Sequence, residues 1–363
     1  MTGLLPEGFH DRLPPAADAA SRLERRVLDT AYAHGYEQVD PPLAEFETSL
    51  GARLKSARAS DAVRFVDPVS QQTLAIRPDI TAQVGRVAAT RMAHHPRPLR
   101  LSYAGSVLKL RASQLRPERA MRQIGCELVG LDSVAAAREI VGVAVEALTA
   151  AGITGLSIDF TLPDLVEALG EVSSDALEPL RAALDGKDAA RVAVIAPGYL
   201  SLIEAAGPFD AALARLRKSA QGQALATRLD GLAAIAAALP DAVMLTLDPT
   251  ERHGFEYQSW LGFSIFATGI PVEIGRGGTY TIMHDGGAEE PAVGFSLYAD
   301  PVLEAGFAAV ERRRLFVPAG IAAADAARWR GEGWVTVAAM GANDSAAAQL
   351  CTHVLGDDGP EAA

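Results

Sequence analysis

Near residue 161 the sequence changes texture. Short alanine- and leucine-rich amphipathic stretches run to about residue 240, broken by turns such as Asp185-Gly186 and Pro197-Gly198. Runs that read as strands lie on both sides, at residues 99–131 before the change and at residues 255–297 after it. A strand-rich block split by a helical stretch reads as one interrupted sheet carrying a helical insertion. The sheet is expected to be mostly antiparallel, so the predicted class is α+β.

The flanking elements follow from local pattern. Leu23, Val27, Leu28 and Ala31 recur at helical spacing, so residues 17–34 are predicted helical with Gly35 as the stop and a strand over 36–39. Residues 63–66 and 73–76 flank a polar turn and predict a hairpin. Asp79 then opens a helix to about residue 92. Strands are expected at 99–105, 107–110 and 121–131, and Ser133 caps a long alanine-rich helix to about residue 150. After the insertion, strands are expected at 255–268, 271–274 and 292–297, and a helix at 301–310. The tail offers strand LFVPA, helix AAADAARW and strand WVTVAAM.

With 363 residues the chain can bury one large core with a smaller satellite. Hydrophobic residues make up 49% and charged residues 21%, a globular composition, and no apolar run approaches the roughly 18 residues a membrane span needs. The N-terminus lacks the basic-then-apolar order of a secretory signal, so a cytoplasmic location is expected. Cys126 and Cys351 stand far apart outside any CxxC, and are read as buried apolar residues, not as a disulfide or a zinc site. His94-His95 beside Pro96 reads as a helix terminus, because adjacent side chains point apart; no metal site is expected. The net charge of −12 opposes a broad phosphate-tracking surface and argues against tRNA binding. The arginines within 111–122 and at 312–314 read as solvated faces. GxSxG, Walker A, HExxH and a strand-borne GxGxxG are absent, and no cofactor is called for.

An amino-acid pocket needs a carboxylate for the ammonium, polar groups that orient the side chain, and a backbone that approaches closely. Asp79, Thr81, Gln123 and Glu127 can supply those groups. Gln123 and Glu127 lie four apart on a predicted strand and so share a face. Local pattern alone also permits Asp79 as a plain N-cap and Glu127 as half of a strand ion pair. GRGGTY at 275–280 permits a glycine turn between strands with Tyr280 in the core.

Four segments in order, LLPEGFHDRLPP at 4–15, RPDIT at 77–81, QIGCELVG at 123–130 and GRGGTY at 275–280, resemble the class II histidyl-tRNA synthetases. The resemblance covers roughly residues 1–310, and is nearer still to their non-catalytic paralogues, the regulatory subunits of ATP phosphoribosyltransferase. It implies a class II synthetase-like core over 1–310, with the insertion near 161–240, and a short α/β remnant over 311–363 in place of a full anticodon-binding domain. It also implies that Asp79 meets a ligand ammonium, that Glu127 meets an imidazole, and that Tyr280 keeps an aromatic of the pocket. HGFEYQSW at 253–260 resembles the family's R-G-x-D-Y-Y, with His253 for arginine, Glu256 for aspartate, Tyr257 for the first tyrosine and Gln258 for the second.

The departures bear on chemistry. Class II activation clamps phosphates with arginines, whose planar fork fits phosphate oxygens. Lys109 stands at the first of these positions and Pro301, in PAVGFSLYADP, at the second, with Arg119 left in the connecting loop. The resemblance therefore implies a regulatory subunit that does not aminoacylate, a homodimer joined to the short-form ATP phosphoribosyltransferase catalytic subunit, with L-histidine as effector. A divergent histidyl-tRNA synthetase-like ligase and a stand-alone histidine-binding protein remain as alternatives.

Overall fold

A computed structural model of the chain describes residues 4–51, 54, 62–111, 118–170, 172–252, 258–307, 312–341 and 343–363. It divides into two compact units, Met1–Ala308 and Ala309–Ala363. In the first, helix α1 (Ala16–Ala33) buries Leu23, Val27, Leu28 and Ala31, the stripe that the spacing predicts. It leads through Gly35, at φ +81°, into strand β1 (Glu37–Gln38). Strands β2 (Ala44–Phe46), β3 (Val63–Val66) and β4 (Thr73–Ile76) form a small antiparallel sheet with helix α2 (Glu47–Gly51). Helix α3 (Thr81–Ala89) is shorter than the forecast 79–92. The Asp79 carboxylate accepts the Thr81 N–H at 2.7 Å, which makes a turn ahead of the helix and not its cap.

The long strands come next. β5 (Leu99–Leu108) is one strand where two were forecast, because Ser106 stays in register opposite Arg122 and no break separates 105 from 107. β6 (Ala120–Val129) runs antiparallel to it. Helix α4 (Val134–Ala150) is capped as expected, with Ser133 Oγ accepting the Ala136 N–H at 3.1 Å. After β7 (Leu156–Thr161) the insertion folds as helices α5 (Leu165–Leu169), α6 (Ser174–Asp185), α7 (Ala189–Ile195), α8 (Leu200–Glu204), α9 (Phe209–Lys218) and α10 (Ala226–Ala236). It is not purely helical. β8 (Gly207–Pro208) lies inside it, pairs with β9 (Met244–Leu247), and with β9 extends the main sheet.

Three strands complete that sheet: β10 (Gln258–Ala267), β11 (Ile270–Met283) and β12 (Glu289–Tyr298). β11 extends one forecast and decides between two readings of another segment. The strand expected at 271–274 runs on for 14 residues, and GRGGTY lies within it, not in a turn. Its glycines are required by close strand neighbours: a Cβ on Gly277 would fall 2.3 Å from the Gly294 carbonyl oxygen. The helix forecast at 301–310 is α11 (Ala299–Glu304), followed by Gly306 at φ +80°; residues 308–310 lie outside the described residues. The sheet order is β1-β5-β6-β12-β11-β10-β7-β9-β8, with only β1–β5 and β7–β9 parallel.

Alternation along β6 assigns the two faces. Ile124, Cys126 and Leu128 join a core shared with α1, α4 and the insertion. Met121 and Val129 lie on the opposite face, where they pack with Tyr103, Tyr280 and residues of α3. Gln123, Gly125 and Glu127 belong to that second face.

The second unit holds β13 (Arg314–Val317), α12 (Ala323–Gly331), β14 (Val335–Ala338), β15 (His353–Gly356) and β16 (Gly359–Ala362), in order β14-β13-β15-β16. The last two strands escape the sequence reading, since each is four residues long and Gly356, Gly359 and Pro360 mask any strand signal.

Candidate functional site

The site is built on the face of the sheet that α3 partly covers, around Glu127. This side chain is 1% exposed. Tyr280 donates to its Oε2 at 2.8 Å and Tyr103 to its Oε1 at 3.1 Å. Its partners are hydroxyls, the two phenols and that of Thr81, so the strand ion pair allowed by the sequence is not what forms. Burial pushes the carboxyl up from 4.5 to about 8; Asp79 nearby adds to the rise, while the donated hydrogen bonds oppose it.

A second layer ties this carboxyl to the start of α3. Tyr103 Oη lies 3.0 Å from Ser296 Oγ and 3.3 Å from Thr81 Oγ1. Gln123 donates through Nε2 to Ser296 Oγ at 2.7 Å and to Asp79 Oδ2 at 2.9 Å, and its Oε1 accepts the Ile80 N–H at 3.0 Å. Asp79, Thr81, Gln123, Glu127 and Tyr280 are thus brought into one connected network. Arg77 of the same segment is structural: it is buried and donates to the carbonyls of Pro41 at 2.7 Å and Ser106 at 2.8 Å.

Register explains how such a cluster finds room. Gly262, Gly278 and Gly294 pair in sequence across β10, β11 and β12, and Gly294 pairs with Glu127 on β6. Three consecutive strands therefore lack a side chain on this face in the row that ends at the carboxyl. A Cβ on Gly294 would fall 1.6 Å from Glu127 Oε2. The result is a narrow, half-open cleft with a cavity volume of about 20 Å³, lined by Thr81, Glu127, Gln258, Arg276, Tyr280 and Ser296 among others. Gln258 lies over the glycine row, donating through Nε2 to the Gly277 carbonyl at 2.9 Å.

Other expected residues fall elsewhere. His253, Glu256 and Tyr257 lie outside the described residues. Lys109 and Arg119 do not line the cleft: the Lys109 N–H donates to the Arg119 carbonyl at 2.9 Å, and the Arg119 guanidinium stacks 4.9 Å over the Phe9 ring. Beside Pro301, Asp300 is buried and faces inward. It receives Arg12 and, at 3.2 Å, the Arg122 N–H. Tyr103, Ser296 and Arg276 were missed by the sequence reading. Only Tyr103 leaves a signal there, as an aromatic in a strand opposite a glycine-bearing one; the other two become visible through register. Among the described residues no group of three or more His, Cys, Asp or Glu can hold a metal ion.

The order of the sheet and the polar cluster on its face together define a histidyl-tRNA synthetase-like core. The histidyl-tRNA synthetase family model matches residues 8–302. The chain is 43% identical to an ATP phosphoribosyltransferase regulatory subunit of Paramagnetospirillum magneticum, over 98% of this chain and 97% of that one. It is 44% identical to a protein of the same name in Rhodospirillum centenum, over 97% and 94%. In fold it is similar to an ATP phosphoribosyltransferase regulatory subunit/histidyl-tRNA synthetase of Bacillus halodurans, with a TM-score of 0.78 at 21% identity covering 96% of each chain. A histidyl-tRNA synthetase of Nostoc reaches the same TM-score at 15% identity, covering 99% of this chain and 92% of that one. The chain belongs to the ATP phosphoribosyltransferase regulatory subunit family, on a histidyl-tRNA synthetase-like fold.

Proposed function

We propose that the chain is the non-catalytic regulatory subunit of a short-form ATP phosphoribosyltransferase, acting at the first step of histidine biosynthesis and sensing L-histidine at the Glu127 site. Near-full-length similarity to two proteins so named carries the regulatory reading. The ligand reading is supported by the connected cluster of Asp79, Thr81, Gln123, Glu127 and Tyr280 beside a cleft. Aminoacylation is absent in this reading. Asp300, next to Pro301, spends its carboxylate on Arg12 and the Arg122 N–H, which makes that corner a structural joint and not a phosphate clamp.

The working assembly is a homodimer of this chain joined to the catalytic subunit, in the cytoplasm and without tRNA. No described helix is long and apolar enough to cross a membrane. Feedback requires histidine to bind the active and inhibited assemblies with different affinities, typically by about 1–3 kcal/mol. The test is phosphoribosyl-ATP formation by the short catalytic subunit of the same genome, with and without this chain, across a histidine titration. Activation that histidine reverses is expected. Unchanged activity and no co-elution would overturn the regulatory role, and histidine-dependent pyrophosphate exchange above background would overturn the absence of aminoacylation.

A further inference from the structure

The cleft beside Glu127 is nearly full. Its volume of about 20 Å³ suits a single water molecule and falls far below what an amino acid needs. What fills it follows from the glycine row. At Gly294 the space that a side chain would take is held by the Glu127 carboxyl itself. At the other two glycines it is held by Gln258. A Cβ on Gly262 would fall 2.6 Å from Gln258 Oε1, and one on Gly278 would fall 3.0 Å from its Cδ and its Nε2. One amide thus lies across two strands, on the floor that the glycines leave bare.

A shift in strand pairing puts it there. Gln258 pairs with Tyr280 and Gly262 with Gly278, so four steps along β10 stand against two along β11. The surplus forms a bulge. Thr279 Oγ1 bridges this bulge, accepting the Leu261 N–H at 3.0 Å and the Ser259 hydroxyl at 2.8 Å. Gln258 therefore starts in the Tyr280 row, on the face of the cleft, and its side chain reaches back over the glycine row. Among the described residues its amide makes one hydrogen bond, from Nε2 to the Gly277 carbonyl at 2.9 Å.

We propose that Gln258 is a stopper: its amide occupies the slot over Gly262 and Gly278, and an amino acid enters the Glu127 site only when that amide turns aside. This assignment rests on the reading of Glu127 as the ligand site and adds a gate to it. Gln258 is half-buried at the first position of β10, so a rotation about its own side-chain bonds clears the two glycines without moving the strand. The apparent affinity is then the intrinsic affinity scaled by the fraction of molecules whose slot is open. One neutral hydrogen bond keeps the closed form in excess by about 3- to 10-fold.

Calorimetric titration of the full-length protein with L-histidine tests this on wild type and on Gln258→Ala. The variant should bind histidine about 3- to 10-fold more tightly, while its midpoint in urea unfolding falls slightly because the hydrogen bond to Gly277 is lost. The opposite signs are the signature, since a residue with a merely structural role would lower both. Gln258→Asn, whose shorter amide covers less of the slot, should gain affinity in the same direction and carries the test if Gln258→Ala does not fold. Unchanged affinity overturns the stopper, and weakened affinity overturns it in favour of a direct contact between amide and ligand. If Glu127→Gln weakens histidine binding in either case, the site stands and only the stopper is wrong. Full affinity in Glu127→Gln, or no histidine binding to either wild type or Gln258→Ala, overturns the site together with the stopper.

Discussion

Glu127 makes the stability of the free protein depend on pH in a direction opposite to that of most carboxylates. Its carboxyl is held up at about 8 against 4.5 in an ordinary setting, first of all by burial. Between those values the folded protein keeps a proton that the unfolded chain has released. Its contribution is therefore fully present below about pH 4.5 and is lost as the pH rises through about 8. At about 1.4 kcal/mol per pH unit, the interval corresponds to roughly 5 kcal/mol. Glu127→Gln removes the titration while keeping the shape. The amide offers one acceptor oxygen to two phenols that now reach both oxygens, at 2.8 and 3.1 Å, so the variant loses about 1 kcal/mol of hydrogen bonding at low pH. The two stability curves should meet near pH 5, with Glu127→Gln increasingly the more stable towards pH 8. Urea unfolding of both proteins at pH 5, 6, 7 and 8 measures the difference, in which titrations common to both cancel. A difference that stays constant across this range would falsify the assignment of a buried neutral carboxyl.

Three further perturbations probe the frame of the site. Gly294→Ala places a methyl 1.6 Å from Glu127 Oε2 and 2.6 Å from the Cys126 carbonyl oxygen, and should cost about 1–3 kcal/mol or more in urea unfolding and abolish histidine binding; intact affinity would move the ligand off the glycine row. Tyr103→Phe removes a hydroxyl shared by Glu127, Ser296 and Thr81 and should cost about 1–3 kcal/mol, with the Glu127 titration moving to still higher pH. That titration is read from the pH dependence of stability, and a downward move would contradict the assigned hydrogen bond. Ser133→Ala removes the cap of α4 and should cost about 1 kcal/mol in unfolding while leaving ligand affinity unchanged, because the cap contacts nothing in the cleft.

Much of this arrangement is legible in the chain because β6 is written in plain alternation. Ile124, Cys126 and Leu128 announce one face, and the intervening Gln123, Gly125 and Glu127 announce the other. Ser133 and the stripe of α1 are equally direct. GRGG misleads because glycine signals both a turn and a strand crowded by neighbours. Only pairing with Gly262 and Gly294 tells the two apart, and pairing is a property of residues distant in sequence. Ser296 was illegible for the same reason: nothing in PAVGFSLYADP says that its hydroxyl faces Tyr103, until β12 is set against β6 and β6 against β5. The site is therefore readable strand by strand in its carboxylates, but not in the hydroxyls and the arginine that lie between strands.

The proposed regulatory role, a pocket without activation chemistry, is physically coherent, because sensing and catalysis ask different things of one sheet. Catalysis needs groups that bind the transition state better than the bound substrate, aimed at the charge that develops on reaction. A sensor needs only ground-state contacts whose strength differs between two assemblies. In the regulatory reading the groups around Glu127 serve the second purpose: phenols, an amide, a hydroxyl and a carboxylate, fixed on paired strands and at the start of α3. At the corner by Asp300, the carboxylate joins Arg12, from the segment ahead of α1, to the N–H of Arg122 on β6. Arg122 directly precedes Gln123 on β6, and Gln123 is the amide that braces Ser296 and Asp79. A ligand that reorders the Asp79–Gln123–Ser296 network thus acts on a strand whose end holds the N-terminal segment. In the regulatory reading this is a physical connection by which an occupied pocket can be felt beyond the sheet.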